Sequence, residues 1–310
     1  MKVAAVVPTC REFTIPEQSI PVDWYVVHDR EERKVFGQRT DIIAPAPLLF
    51  GQRCDSIRSA GFLQAYNDGA EIILTVDDDC SIPVGWAESH ATALLEPHTT
   101  WEPTMHQYRP RGVPYRSYSR VGISHGLWNG VPDLDALTQK DVGPVNVQHS
   151  GKWRRISAPF PQSAMNFGFV REVMPVMYQP YQGEGTPFDR YADIWGGLLA
   201  QKVLAHHGWL FMNGGALVHH TRASDVDVNL VKEAPGMAAH ETFWRHVWAF
   251  SDFGSTVTSS YLRLAHHVAK FDKAGKWDGY FGGLARNMVA WAEAVTPMSA
   301  GAGLAELEYA

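Results

Sequence analysis

The chain has 310 residues, 45% of them hydrophobic and 19% charged, the profile of an ordinary soluble globular protein with ample core. A formal net charge of -6 speaks against a general nucleic-acid coat. Three scattered cysteines form neither a disulfide framework nor a zinc spacing, no run approaches the roughly 18 apolar residues of a membrane span, and the apolar stretch Val3 to Val7 is too short for a signal peptide, so a cytoplasmic protein without a membrane span is expected.

Lys2 to Val7 reads as a buried strand, ended by Pro8-Thr9, with Cys10-Arg11-Glu12 opening the next loop. Trp24 to Val27 reads as a second strand, closed by His28-Asp29-Arg30, and Asp41 to Ala44 as a short third. Asp55 is placed to cap a helix from Ser56 to about Asn67, with Gly69 just past its end. Ile72 to Val76 is a continuous apolar run, the mark of a strand buried on both faces. Strand and helix therefore alternate over the first ~80 residues, the pattern of an α/β unit with a parallel sheet.

The fourth strand ends on Asp77-Asp78-Asp79. Adjacent carboxylates repel and desolvation penalises them further, so the triplet asks for a positive partner. A divalent cation such as Mg²⁺ or Mn²⁺ takes oxygen ligands and meets that need. A solvated acidic loop or a helix N-terminus is the plainer alternative. Ligands of such sheets bind beyond the carboxyl ends of the strands, and Thr9, Arg11, Asp29 and Asp77 to Asp79 all fall at such ends.

From Glu96 to Pro161 the chain reads as rich in loops and turns. It carries Arg109, Arg111, Arg116, Arg120, Lys152, Arg154 and Arg155, either a solvated basic surface or a clamp on an anionic ligand. Regular structure resumes near Met165, with a helix from Tyr191 to His206 and a strand near Trp209 to Met212. His240 to about Val295 reads as helical, with amphipathic spacing at Tyr261, Leu264, Ala265 and Val268, and the Gly- and Ala-rich tail from Ser299 as frayed. His240-Glu241 opens like a zinc-protease helix, but the fifth position is Trp244, so the two-histidine face is absent.

Several blocks, in order, carry a resemblance. Leu74 to Cys80, with its strand and Asp-x-Asp, is similar to the metal-binding segment of nucleotide-sugar glycosyltransferases and, more closely, of the reversibly glycosylated polypeptides, also called UDP-arabinopyranose mutases. Arg111 to Tyr115 resembles the arginine segment where that family is glycosylated. Ser124 to Trp128, Pro132 to Ala136 with Thr138-Gln139, Met165-Asn166, Arg190 to Trp195, and Arg222 to Ser224 with Val228 to Leu230 are similar to further family blocks. Together they span roughly residues 3 to 235.

The resemblance implies an α/β, GT-A type Rossmann-like nucleotide-sugar fold with a mostly parallel central sheet. It implies a catalytic unit over residues 1–235; the remainder matches no family block, and its helical pattern is expected to form a C-terminal helical extension over 236–310 packed on that unit. It further implies a UDP-sugar as donor and a Mn²⁺ or Mg²⁺ ion held by Asp77, Asp79 and His220, which is preferred to its neighbour His219. Asp77 and Asp78, with Thr9, Arg11 and Asp29, are expected around uracil, ribose and diphosphate, and Arg53 and Arg58 near phosphate or simply on the surface. Asp193 is the candidate base or orienting group, with a salt bridge to Arg190 as its plainer role. Arg111 is carried as the glycosylated arginine or as a holder of diphosphate. One carboxylate of the family's Arg-Tyr-acidic-acidic block is replaced by Ala192, which bears on the acceptor half of the site. The leading reading is transfer from the UDP-sugar to a hydroxyl acceptor. The alternatives are a mutase or self-glycosylating protein, transfer to hydroxymethylated pyrimidines in viral DNA, or a UDP-sugar-binding scaffold without turnover. The acceptor thus stands among a small sugar, the protein's own arginine and modified DNA, and the oligomeric state is left open.

Overall fold

The computed structural model describes residues 1–28, 39–43 (backbone only), 54, 56–101, 110–116, 118–221, 225–272 and 275–296. Asp29, Arg53, Asp55, Arg109, Arg222 to Ser224 and the tail from Ser299 lie outside the described residues.

Strands β1 (Val3–Thr9), β2 (Asp23–His28) and β3 (Arg39–Ile43) precede helix α1 (Ile57–Asn67) and strand β4 (Ile72–Val76). Then come β5 (Cys80–Ser81), α2 (Trp86–Leu95), β6 (His98–Thr99), β7 (Tyr118–Ser119), β8 (Val121–Gly130), α3 (Ala136–Val142), β9 (Arg154–Ile156) and β10 (Asn166–Val170). A 3₁₀ turn (Arg171–Val176) leads to α4 (Ala192–His206), β11 (Leu210–His220), α5 (Val226–Ala249), α6 (Val257–Val268) and α7 (Tyr280–Ala294).

The main sheet runs β3-β2-β1-β4-β10-β8-β11-β5, with β9 paired to β11. β3, β2, β1 and β4 are parallel, β10 runs antiparallel to both its neighbours, and β8 and β11 are parallel again. The α/β class with a mostly parallel central sheet is thus the observed one. β4 is buried along its whole length, as its unbroken apolar run requires.

α1 lies on β1 and β2 so closely that a Cβ on Gly61 would come within 2.4 Å of a Val6 methyl. Phe62 from the same helix is fully buried edge-on to Phe167 and Phe169 of β10. Burying such a ring contributes about 1.5–3 kcal/mol, which outweighs the helix's poor intrinsic amphipathicity. On the other side α2 packs against β8, β10 and β11. One core of buried residues runs from β1 to the end of α7. Residue 235, where the sequence suggests a boundary, lies inside α5.

The middle of the chain differs from its sequence reading. β8 is a ten-residue central strand, and the short strand expected at Trp209 to Met212 is the start of an eleven-residue one. Gly, Ser, His and Asn interrupt both sequences, so neither reads as an apolar run. Their polar groups are buried but paired: the His90 ring contacts Ser124 Oγ at 2.8 Å, and His125 Nδ1 contacts Asn213 Oδ1 at 2.9 Å.

Candidate active site

The acidic triplet forms a turn at the carboxyl end of β4. The Asp77 amide donates to Met165 O (3.2 Å), just before β10, and the Cys80 amide donates back to Asp77 O (3.2 Å). Each carboxylate has its own partner. Arg58, buried in the first turn of α1, donates to Asp77 Oδ1 and to Thr75 Oγ1 (2.9 Å). Thr9 at the end of β1 donates through Oγ1 to Asp78 Oδ2 (2.6 Å) and accepts the Arg11 amide (3.0 Å). Arg11 Nη1 lies 3.4 Å from Asp78 and 3.8 Å from Asp79.

Asp79 is the carboxylate left most exposed to repulsion. Burial first, and then the neighbouring Asp77, pushes its carboxyl above the ordinary range, offset in part by His220. His220 arrives by strand pairing, since β5 follows the triplet directly and pairs antiparallel with the end of β11, Cys80 opposite His220 and Ser81 opposite His219. Strand alternation then separates the two histidines, His219 outward and exposed, His220 buried. His220 Nδ1 sits 2.9 Å from Val131 O, so it donates to that carbonyl. In the neutral ring the lone pair is therefore on Nε2, which lies 4.0 Å from Asp79 Oδ1. Two acceptors facing each other need a proton or a cation between them. This fits a divalent ion held by Asp79 and His220, with the carbonyl fixing the ring as an outer partner. Among the described residues, however, no three of His, Cys, Asp or Glu converge as a complete cage. Such an ion would need substrate oxygens, which suits a diphosphate.

The turn opens into a cleft of about 990 Å³, which Arg11, Arg58, Asp77, Asp79, Asp193 and His220 all help to line. That volume is at the upper end of small-molecule sites and has room for a nucleotide with an attached ring. Asp193 stands in the first turn of α4, its Oδ2 accepting the Ala164 amide and its Oδ1 the Ile194 amide, both at 2.8 Å. Arg190 forms a salt bridge with the buried Glu233 of α5 (2.8 Å), whose other oxygen accepts the Ala136 amide at 2.7 Å. That pair holds Arg190 at a left-handed φ of 63°, a conformation costly for a side-chain-bearing residue.

The structure therefore brings Arg11, Arg58, Asp77, Asp78, Asp79, Asp193 and His220 together. Thr9 is buried beneath Asp78 as a brace. Arg111 is exposed in a turn and does not line the cleft. Asp133, Gln162, Ser163 and Glu233 line it without having been singled out. Only Asp133 carried a signal, as part of the Pro132 to Ala136 block. His240 and Glu241 line the cleft too, the His240 ring within 3.1 Å of Trp195 Nε1.

The acidic turn and the histidine thus stand at the carboxyl ends of strands of an α/β sheet, where proteins of this class carry their ligand sites. The sequence matches the reversibly glycosylated polypeptide family over residues 38–300, and the chain belongs to that family. It is 32% identical to UDP-arabinopyranose mutase 3 of Arabidopsis thaliana over 286 residues, 84% of this chain and 77% of that one. It is 32% identical to UDP-arabinopyranose mutase 1 of Oryza sativa subsp. japonica over 277 residues, 82% and 74% of the two chains. Among solved structures, glucosyl-3-phosphoglycerate synthase from Mycobacterium tuberculosis, in complex with Mn²⁺ and UDP, overlaps 73% of this chain and 74% of its own at 11% identity. Its TM-score is 0.40, at which the likeness decides nothing about this chain. No helix among the described residues is long and apolar enough to cross a membrane.

Proposed function

We propose that the cleft binds a UDP-sugar with its diphosphate at the Asp77–Asp79 turn, and that the protein interconverts the ring forms of the UDP-linked sugar. The observation that carries this reading is the β5–β11 pairing that sets His220 against Asp79 inside the cleft. The names of the relatives support the mutase over the transferase to which the sequence alone leans.

In this reading Asp79 and His220, with Asp77, hold a Mn²⁺ or Mg²⁺ ion. When bound, the ion neutralises charge that grows on the departing diphosphate. Arg11 and Arg58 then share their charge between the carboxylates and phosphate oxygens. Thr9 fixes Asp78, and with it the shape of the turn. Asp193, anchored by two backbone amides, orients a sugar hydroxyl or takes its proton.

The test is incubation of the protein with UDP-arabinopyranose, with and without MnCl₂, and chromatographic separation of the ring forms. Furanose product is expected, and Asp79→Ala lowers its rate by about 10²–10³-fold, the scale for losing one electrostatic contact to a transition state. Sugar appearing on an added hydroxyl acceptor with no furanose formed would establish the transferase instead. That second reading is favoured by the length of the cleft, which continues to Glu233 and Glu241. Modified DNA belongs among the acceptors tried, because exposed Tyr115 and Tyr118 interleave with Arg111, Arg116 and Arg120.

A further inference from the structure

The segment Gln162 to Met165 ties the acidic turn to the rest of the cleft. Met165 O accepts the Asp77 amide, the Ala164 amide goes to Asp193 Oδ2, and Ser163 Oγ donates to Asp133 Oδ2 at 2.6 Å. From behind, His125 Nε2 accepts the Ser163 amide at 3.0 Å, so the segment has little freedom to shift. Two carboxylates from different elements, Asp133 after β8 and Asp193 at the start of α4, are thereby fixed by consecutive residues.

Gln162 adds an independent observation. It lines the cleft and is fully buried, yet neither its amide oxygen nor its amide nitrogen has a hydrogen-bond partner among the described residues. Leaving such a group unpaired costs about 1–3 kcal/mol, so native proteins rarely do so without a ligand or water to meet it. Gly197 of α4 makes room for this side chain, since a Cβ there would come within 2.5 Å of Gln162 Cβ.

We infer that Asp133, Gln162 and Asp193 form the sugar-recognition wall of the cleft, gripping the hydroxyls of the ring attached to the diphosphate. The inference rests on the UDP-sugar reading above and names the residues that select the sugar. Position supports it, because three residues of chain span at most about 11 Å, which keeps Gln162 close to Met165 and so to the turn where the diphosphate sits. Chemistry supports it as well. Carboxylates only accept, an amide both donates and accepts, and a polyhydroxylated ring offers both. Neither uracil nor phosphate would use two carboxylates in this way.

The test is calorimetric titration of UDP and of UDP-arabinopyranose, with MnCl₂ present, into the full chain, Asp133→Asn and Gln162→Leu. Both variants should bind UDP within about twofold of wild type and UDP-arabinopyranose about tenfold more weakly, as loss of a hydrogen bond to a charged or buried group implies. Asp133 is exposed, so its variant does not depend on core packing and decides the matter if Gln162→Leu is unstable. Unchanged affinity for UDP-arabinopyranose in Asp133→Asn overturns the inference, and so does an equal loss for UDP and UDP-arabinopyranose. Both outcomes leave the UDP-sugar reading standing. Failure of wild type to bind UDP-arabinopyranose removes that reading and this inference together.

Discussion

Asp79 holds a charge that the apo fold disfavours. Its carboxyl is pushed up by burial and by Asp77, so folding prefers the protonated form. A group whose folded pKa lies above its unfolded one contributes stability below the unfolded value, and that contribution is lost as pH rises through the folded value. At neutral pH Asp79 is therefore a net strain on the metal-free protein. Asp79→Asn should raise the melting temperature without added metal while removing turnover. MnCl₂ should raise the melting temperature of wild type by mass action and leave that of the variant unmoved. A variant that melts lower than wild type without metal would mean that Arg11 and His220 already compensate Asp79. Arg58 makes the opposite case. It is buried and paired with Asp77, so Arg58→Met should cost about 3 kcal/mol, the lower end for breaking a buried pair, read as a lowered urea midpoint.

The element that brings His220 to Asp79 is the end of β11, and its register depends on Gly130 at the end of β8. Gly130 has a φ of 92°, and a Cβ there would sit 2.2 Å from His220 O. Gly130→Ala should therefore cost about 1–3 kcal/mol in strain and loosen His220, weakening the melting shift from MnCl₂ more than the fold itself. An unchanged shift would show that the β5 pairing alone places the histidine. This is also where the sequence stops being readable. β1, β2 and β4 are legible because each is a plain apolar run ended by turn residues, and α1 because Asp55 and Gly69 bracket it. The acidic turn is legible from the cost of three adjacent charges. β8 and β11 are not, because His125, Asn129, Asn213 and the glycines among them have partners that become visible only in three dimensions. The same holds for Arg190, which pairs with Glu233 of α5, and for Gln162, whose lack of a partner among the described residues no local pattern reveals.

At the scale of the whole molecule, the buried histidines set the acid limit of the fold. His90 lies in the core between Ser124 Oγ (2.8 Å) and Asn166 Oδ1 (2.9 Å), and Asn166 Oδ1 also accepts the Trp86 indole. Burial drives its pKa from 6.5 down to about 4. Burial likewise lowers His125, His240 and His246, partly offset at His125 and His246 by hydrogen bonds. In the unfolded chain these rings take up protons near pH 6.5, and in the folded one they resist until lower pH. The unfolded state thus binds more protons between the two values, and stability falls as pH drops from 6.5 toward 4. His90 alone accounts for about 3 kcal/mol across that window. Asp79 works in the other direction, since acid relieves it, but as a partly exposed group it offsets only a fraction. The measurement is the urea midpoint of the full chain at steps from pH 7.5 to pH 4. A continuous decline below pH 6.5 is expected, shallower in His90→Gln, which keeps a nitrogen to donate to Asn166 and removes the titrating ring. If the variant and wild type decline in parallel, the acid limit is set by the histidines of α5 and β8 or by the carboxylates of the cleft, not by the ring at the centre of the sheet's α2 face.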